Sequence, residues 1–325
     1  MTDQKVRWGI VATGGIAEKF ASDLALVEGA ELAAVGSRSL ENAQAFAKRF
    51  GFERAHGTYA ELAADPDVDV VYVATPHAFH YDAAMLCVEA GKHVLVEKPI
   101  TLDLPSAARL IEAARSRNVF LMEAMWMRIN PAIRKIAELV GDGAIGWIST
   151  ITADFGLQGP FPPEHRLRNR ELGGGALLDT GVYPVHLAHL LLGAPTSVQS
   201  WAHLTPERVD ENTGILLGYE AGAVAALTAS INGESPNIAT ITGSDGRIDL
   251  PHGFHMPKSF TLNRPGREPE TFDFPWPGFG YQFEAAEVQA RIQAGDLESP
   301  LMPHATTLEV MSLLDSIRDQ IGVTY

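Results

Sequence analysis

Apolar runs of strand length alternate with amphipathic stretches of helix length throughout the first 124 residues. Strand patterns cover 5–12, 30–37, 68–74, 93–97 and 119–122, with a shorter one at 54–56. Helix patterns fill the gaps at 15–26, 39–50, 80–90 and 103–117. In the first of these, Ile16, Phe20 and Leu24 recur at i, i+4 and i+8, which lines one helix face. Ser39 opens the second as a capping residue, and Gly91 stops the third. The run over 68–74 is nearly continuous in apolar residues, as a parallel strand covered on both faces requires. Repeated βαβ units of this length predict a doubly wound parallel sheet of Rossmann type.

The rhythm changes after Met125. A helix follows Pro131, another spans 182–192, and then strand patterns succeed one another at 195–203, 213–219, 224–231, 238–242 and 258–263. Turn residues such as Asn232-Gly233 and Asp245-Gly246 separate them. Strands in series without helices between them predict a mostly antiparallel sheet in an α+β domain. Helices over 282–294 and 306–321 follow. The reading is therefore of two domains, a dinucleotide-binding α/β domain over 1–124 and an α+β domain over 125–325, the latter for substrate and self-association.

Composition removes several classes of function. Hydrophobic residues make up 46% and charged residues 20%, with no apolar run long enough to span a membrane. The net charge of −15 opposes nucleic-acid binding. Cys87 is the single cysteine, so no intrachain disulfide can form. The first residues lack a basic start followed by an apolar stretch, so no signal peptide is expected, and a cytoplasmic location fits.

The first strand runs into Ala12-Thr13-Gly14-Gly15-Ile16-Ala17. This is the dinucleotide fingerprint G-x-G-x-x-G/A with its first glycine replaced by Ala12. Gly14 would let the backbone approach a pyrophosphate, Ala17 would let helix and strand pack closely, and the helix N-terminus would offer N–H groups. The second strand ends in Ser37-Arg38, with no Asp or Glu to accept from a ribose 2′-hydroxyl. Arg38 instead suits a 2′-phosphate, so NADP is expected over NAD, which stays possible. Ala74, Thr75, Pro76 and His77 follow the fourth strand, and Glu97, Lys98 and Pro99 the fifth, all at the crevice where such sheets bind ligands. His80 would start a helix beside the cofactor, and Trp126 and Arg128 follow the last strand. His77 and His80 lack a carboxylate or cysteine at helpful spacing, so no metal is expected.

Glu97-Lys98-Pro99, together with Thr75-Pro76-His77, Glu123-Ala124-Met125-Trp126 and Asp179-x-Gly181-x-Tyr183, resembles the Gfo/Idh/MocA family. Within it the chain is most similar to the branch of dimeric dihydrodiol dehydrogenases and NADP-dependent D-xylose dehydrogenases. The supporting stretches include Arg7-Trp8-Gly9-Ile10-Val11 and Gly174-Gly175-Ala176-Leu177-Leu178-Asp179. The resemblance implies a large open sheet in the second domain, whose outer face joins a second subunit in a homodimer or dimer-based tetramer. It implies that Lys98 and a cis Pro99 lie by the nicotinamide. Many family members carry a histidine where this chain has Tyr183, and the dihydrodiol branch shares the tyrosine.

Hydride transfer at an alcohol carbon needs a partner for the hydroxyl proton. A free tyrosine, with pKa about 10, is a poor base, and a nearby lysine ammonium favours its phenolate. Tyr183 is therefore expected as acid/base and Lys98 as its helper. Asp179 is expected to hold a substrate hydroxyl or orient Lys98, and His186 and Arg166 to reach the substrate. Arg168 and Arg170 lie on the same stretch as Arg166, and the spacing does not choose among the three. The expected activity is oxidation or reduction of a sugar, polyol or cyclic diol. An NAD-dependent glycosidase would instead cleave glycosides without net NADPH, and a non-catalytic dinucleotide sensor would bind without turnover.

Overall fold

The computed structural model describes residues 5–325. The chain forms two compact units, 1–126 with 277–308, and 127–276 with 309–325. Among the described residues, each unit carries one sheet.

The first unit carries a six-stranded, all-parallel sheet in the order β3-β2-β1-β4-β5-β6. Its strands are β1 (Val6–Val11), β2 (Ala30–Gly36), β3 (Arg54–His56), β4 (Val70–Val73), β5 (His93–Glu97) and β6 (Leu121–Ala124). The connecting helices are α1 (Gly15–Leu24), α2 (Leu40–Phe50), α3 (Tyr59–Ala63), α4 (His80–Glu89) and α5 (Leu104–Ser116). All four residues of β4 are buried, as their apolar run requires. Ser39 accepts from the Asn42 N–H and caps α2, as the sequence predicts. Asp103 caps α5 in the same way, accepting from Ser106. Thr58 and Glu61 form a reciprocal capping box on α3, a helix the sequence reading does not place. The strand order reverses beside β1, which makes a crevice at the carboxyl ends of β1 and β4.

The second unit carries an eight-stranded sheet in the order β14-β13-β12-β11-β7-β10-β9-β8. Its helices are α6 (Trp126–Ile129, whose first residue counts with the first unit), α7 (Pro131–Gly141) and α8 (Val182–Leu192). Its strands are β7 (Ile148–Gly156), β8 (Ser197–Leu204), β9 (Asp210–Gly218), β10 (Val224–Ser230), β11 (Ala239–Gly243), β12 (Arg247–Leu250), β13 (Ser259–Asn263) and β14 (Glu270–Asp273). Six of its seven pairings are antiparallel, and β7 with β10 is parallel. The expected mostly antiparallel sheet is thus present. Its central strand, β7, is one the sequence reading omits, along with β12 and β14.

Residues 277–308 depart from the expected boundary, because they cluster with the first unit. They hold α9 (Gln282–Ala294) and the start of α10 (His304–Ile321). The reason is a set of buried polar contacts. Asp23, at the end of α1, accepts backbone N–H groups from Phe279, Gly280 and Tyr281 at 2.8–3.0 Å. Trp8 Nε1 donates to Gln289 Oε1 at 3.0 Å, and Thr307 Oγ1 donates to Glu123 Oε2 at 3.0 Å. Leaving any of these groups unpaired while buried would cost about 1–3 kcal/mol.

Candidate active site

The turn after β1 is built around Ala12, which takes a left-handed φ of 81°. Such a conformation costs a non-glycine residue about 1–3 kcal/mol, so the neighbours must hold it. The Ala12 N–H donates to Gly36 O at 2.9 Å and fixes the turn to β2. Gly14 then caps α1 without any side-chain partner for the helix N–H groups. A Cβ at Gly14 or Gly15 would meet no protein atom within 4 Å. Packing inside the chain therefore does not demand glycine here, whereas close approach of a pyrophosphate does. Ala17 is fully buried against the sheet, and Ile16 and Thr13 are half-buried.

Ser37 is buried at the end of β2, and its Oγ lies 3.4 Å from the Ser39 N–H. Arg38 is exposed and close enough to Tyr59 for its charge to oppose the effect of burial, which raises that phenol's pKa. After β4, Ala74, Thr75 and His77 are buried. Thr75 Oγ1 is buried with no hydrogen-bond partner in the chain, at the crevice where a ligand group would satisfy it. These features together fit a dinucleotide: a bare helix N-terminus, glycines facing open space, an orphaned hydroxyl and an exposed arginine after β2.

His80, expected to start a helix beside the cofactor, does open α4. Its ring is fully buried, with Nδ1 2.7 Å from Pro99 O and Nε2 2.8 Å from Thr75 O. Burial is the leading cause that lowers its pKa to about 4, and the two carbonyl contacts act the other way, because a neutral ring can donate to only one of them. It ties the end of β4 to the segment after β5. Glu97 is buried in the same supporting role. It accepts the Tyr72 hydroxyl proton and, at 3.1 Å, the Lys98 backbone N–H. Lys98 is itself buried, and the Lys98–Pro99 bond is cis. The Ile100 N–H donates to Glu123 Oε1 at 3.1 Å and steadies the other side of Pro99. Trp126 stacks on Tyr281, with centroids 4.5 Å apart and planes 18° apart. Sequence reasoning did not name Tyr281, because it lies far along the chain in the loop that Asp23 holds.

In the second unit, Gly173–Gly175 leads into a wide π-type turn over Leu177–Gly181, and α8 continues from it. Such turns are rare and recur at functional sites. Asp179 sits on this turn and accepts from Arg166 at 2.8 Å and 3.4 Å, a forked contact. Arg168 instead pairs with Glu207 at 2.6 Å, and Arg170 donates to Thr324. Of the three arginines, Arg166 is thus the one beside Asp179, with half of its side chain exposed. Tyr183, in the first turn of α8, packs against Phe155 and His255, with ring centroids at 5.6 Å and 5.0 Å. Phe155 and His255 also stack on each other at 4.4 Å. Phe155 escaped notice because β7 itself did, and His255 because it lies on a loop with no motif around it.

His186 was expected to reach the substrate. It is instead fully buried one turn past Tyr183, with neither ring nitrogen hydrogen-bonded. Burial, followed by the charge of the buried Arg128, holds its pKa well below the usual histidine value. His189 Nε2 lies 2.8 Å from Glu309 at the other end of the helix. Among the described residues, no three His, Cys, Asp or Glu side chains gather as metal ligands do, and no helix is long and apolar enough to cross a membrane.

Residues 6–125 match the profile of an oxidoreductase family with an NAD-binding Rossmann fold, GFO_IDH_MocA, and residues 133–249 match the GFO/IDH/MocA C-terminal domain. The chain is 37% identical to trans-1,2-dihydrobenzene-1,2-diol dehydrogenase of Xenopus tropicalis, over 98% of this chain and 99% of that one. It is 36% identical to D-xylose 1-dehydrogenase (NADP(+)) of Hypocrea jecorina, covering 98% and 93% respectively. Among solved structures, a 3-ketoreductase from Actinomadura kijaniata in complex with NADP and TDP-benzene superposes with a TM-score of 0.87. That protein is 31% identical, with 98% of each chain covered.

Proposed function

This chain belongs to the Gfo/Idh/MocA family of nicotinamide-dependent oxidoreductases, and from that premise we propose that it is an NADP-dependent dehydrogenase or reductase of a sugar, polyol or cyclic diol. The observation that carries the chemistry is Tyr183, a phenol held in the first turn of α8 directly after the Asp179 turn. The names of the relatives above fit the substrate class, and NADP in the similar ketoreductase fits the cofactor.

The residues divide the work. The N–H groups at the start of α1 would hold the pyrophosphate, and Arg38 with Ser37 would hold the 2′-phosphate. The bound nicotinamide accepts or supplies the hydride. In the oxidising direction Tyr183, as phenolate, would take the substrate's hydroxyl proton while the cofactor took the hydride, leaving a carbonyl. The Lys98 ammonium favours that phenolate and donates to the substrate oxygen. Asp179, fixed by Arg166, accepts from a neighbouring substrate hydroxyl. Glu97, His80 and Glu123 hold the backbone on both sides of Lys98. We further propose a cytoplasmic homodimer, or a tetramer built from it. The apolar outer face of the second sheet supports the assembly, and the lone buried Cys87 suits a reducing compartment.

The test is Tyr183→Phe, assayed with NADP across aldoses, inositols, anhydro sugars and dihydrodiols. Turnover on the best substrate should fall by about 10²–10⁴, the range for lost acid–base catalysis, with cofactor affinity unchanged. Lys98→Met should do similar damage, and the double variant should be barely worse than either, because the pair acts as a unit. A Tyr183→Phe enzyme that keeps its turnover while hydride transfer limits the rate would move the proton to another group.

A further inference from the structure

The Gly173–Gly175 turn that delivers Asp179 and Tyr183 is held from behind by residues with no part in the reaction above. Tyr325 Oη donates to Gly174 O at 2.6 Å. Asp210, fully buried at the start of β9, accepts the Leu177 N–H at 2.7 Å and the Thr213 hydroxyl at 2.6 Å. The Gly174 and Gly175 N–H groups donate to Asn169 O and Leu167 O, so the turn is also clamped to the segment that carries Arg166.

The fit leaves no slack. A Cβ at Gly174 would lie 2.7 Å from both Arg166 O and Leu167 O. Gly175 has φ +121°, and a Cβ there would lie 2.2 Å from Asp210 Oδ1 and 3.2 Å from Tyr325 Oη. Tyr325 is itself fixed. Arg170 donates to Thr324 O at 2.6 Å and to Thr324 Oγ1 at 2.9 Å, and the Arg318 guanidinium lies 5.4 Å from the Tyr325 ring centroid. Burial, then the charge of Asp210, raises the Tyr325 phenol well above its ordinary pKa, so it keeps the proton it donates.

From this arrangement we infer that Tyr325 is a positioning residue: through its hydrogen bond to Gly174 it sets where the turn presents Asp179 and Tyr183. The inference rests on the reading of Tyr183 as the proton carrier. Displacement of a reacting group by about 1 Å can cost as much as 10²-fold in rate, so a loosened turn should act on turnover before it acts on folding or cofactor binding.

The experiment compares Tyr325→Phe, Arg170→Met and Tyr183→Phe with the parent enzyme, in full-length protein with NADP and its best substrate. Tyr325→Phe keeps the ring and removes only the hydroxyl. Its kcat should fall by about 10-fold, with NADP affinity and Tm close to the parent. The pH dependence of alcohol oxidation should shift with it, because moving the turn changes the surroundings of the Tyr183 phenol. Arg170→Met loosens Thr324 from an exposed position that cannot unfold the core, and should give a smaller fall of the same kind. Parent-like kcat and pH profile in Tyr325→Phe would overturn the inference. So would a joint loss of kcat, NADP affinity and Tm in Tyr325→Phe with parent-like kinetics in Arg170→Met, since that is the pattern of a merely structural residue. Retained turnover in Tyr183→Phe would overturn the assignment of the proton to Tyr183, whereas an inactive Tyr183→Phe beside an unaffected Tyr325→Phe overturns the positioning role alone.

Discussion

Arg38 stands exposed just past β2, with Ser37 buried beside it and no carboxylate among the residues at the strand's end. A guanidinium there can form a forked, charge-assisted contact with a 2′-phosphate, and nothing in the neighbouring sequence can accept from a free 2′-hydroxyl as an acidic residue does. Arg38→Ala should therefore weaken NADP by about 1.5–3 kcal/mol, roughly tenfold to a hundredfold, and leave NAD almost unchanged. Titration of both dinucleotides into parent and variant, followed by nicotinamide or tryptophan fluorescence, checks this, and equal parental affinities for the two would defeat it. At this scale the sequence was most informative where a residue's role follows from its place at a strand end. Lys98 follows β5 and Ser37-Arg38 follows β2, as read. It was least informative where burial decides the role. His80 and His186 are both histidines near a crevice motif in the sequence. Only the fold shows that one ring is buried between two carbonyl oxygens and that the other is fully buried.

Among elements, strong periodicity made the parallel strands and their helices legible, because β4 and β5 are apolar along almost their whole length. By contrast β7, Ile148–Gly156, alternates Ile, Ser, Thr, Ile, Thr, Ala and Asp, with one face buried and the other polar and partly exposed. Its pairing on both sides with β10 and β11 comes from distant segments, which no local window contains. The same holds for α9, whose helical pattern is plain but whose partner is not. Its Glu284 is fully buried with neither carboxyl oxygen hydrogen-bonded. Burial first, then the charges of Glu97 and Asp23, raises its pKa well above the ordinary carboxyl value. The folded state thus keeps a proton that the unfolded chain releases above its own pKa. Stability from this group is present in full below that unfolded value and is lost as the pH rises towards the folded one, at about 1.4 kcal/mol per pH unit. Glu284→Gln removes the proton linkage while keeping the shape. Its Tm should match the parent near pH 4 and exceed it increasingly as the pH rises above 5. A Tm difference that does not depend on pH would show that Glu284 is ionised in the folded protein.

For the molecule as a whole, the unresolved demand is the outer face of the second sheet. Strand alternation turns Trp201, Leu216, Val224, Ala226 and Thr228 the same way, and the register sets Trp201 opposite Gly214 and Gly214 opposite Thr228. Trp201 is 71% exposed, Leu216 45% and Val224 37%, in a patch with no charged side chain among these five. Large exposed apolar side chains grouped on one sheet face are uncommon on monomers, even with Gln199 among them opposite Leu216, and a face that meets its own copy across a two-fold axis is the simplest way to cover them. Charge opposes association, since each chain carries −15 and two copies repel at long range, and that opposition is least where the copies meet through an uncharged face. The expected species at micromolar concentration is therefore a dimer, with a mass twice the 35.1 kDa of one chain, or a multiple of that dimer. Placing a carboxylate at the centre of the face, by Trp201→Glu together with Leu216→Glu, would bury like charges against each other across the axis. The mass by light scattering should drop to that of one chain, while the first unit keeps its affinity for NADP. Raising the salt concentration should tighten the parent dimer slightly by screening the repulsion, and should not rescue the double variant, because the cost there is desolvation of buried carboxylates. A parent protein that runs at 35.1 kDa under these conditions, or a double variant that stays dimeric, would mean that another surface holds the copies together or that none does.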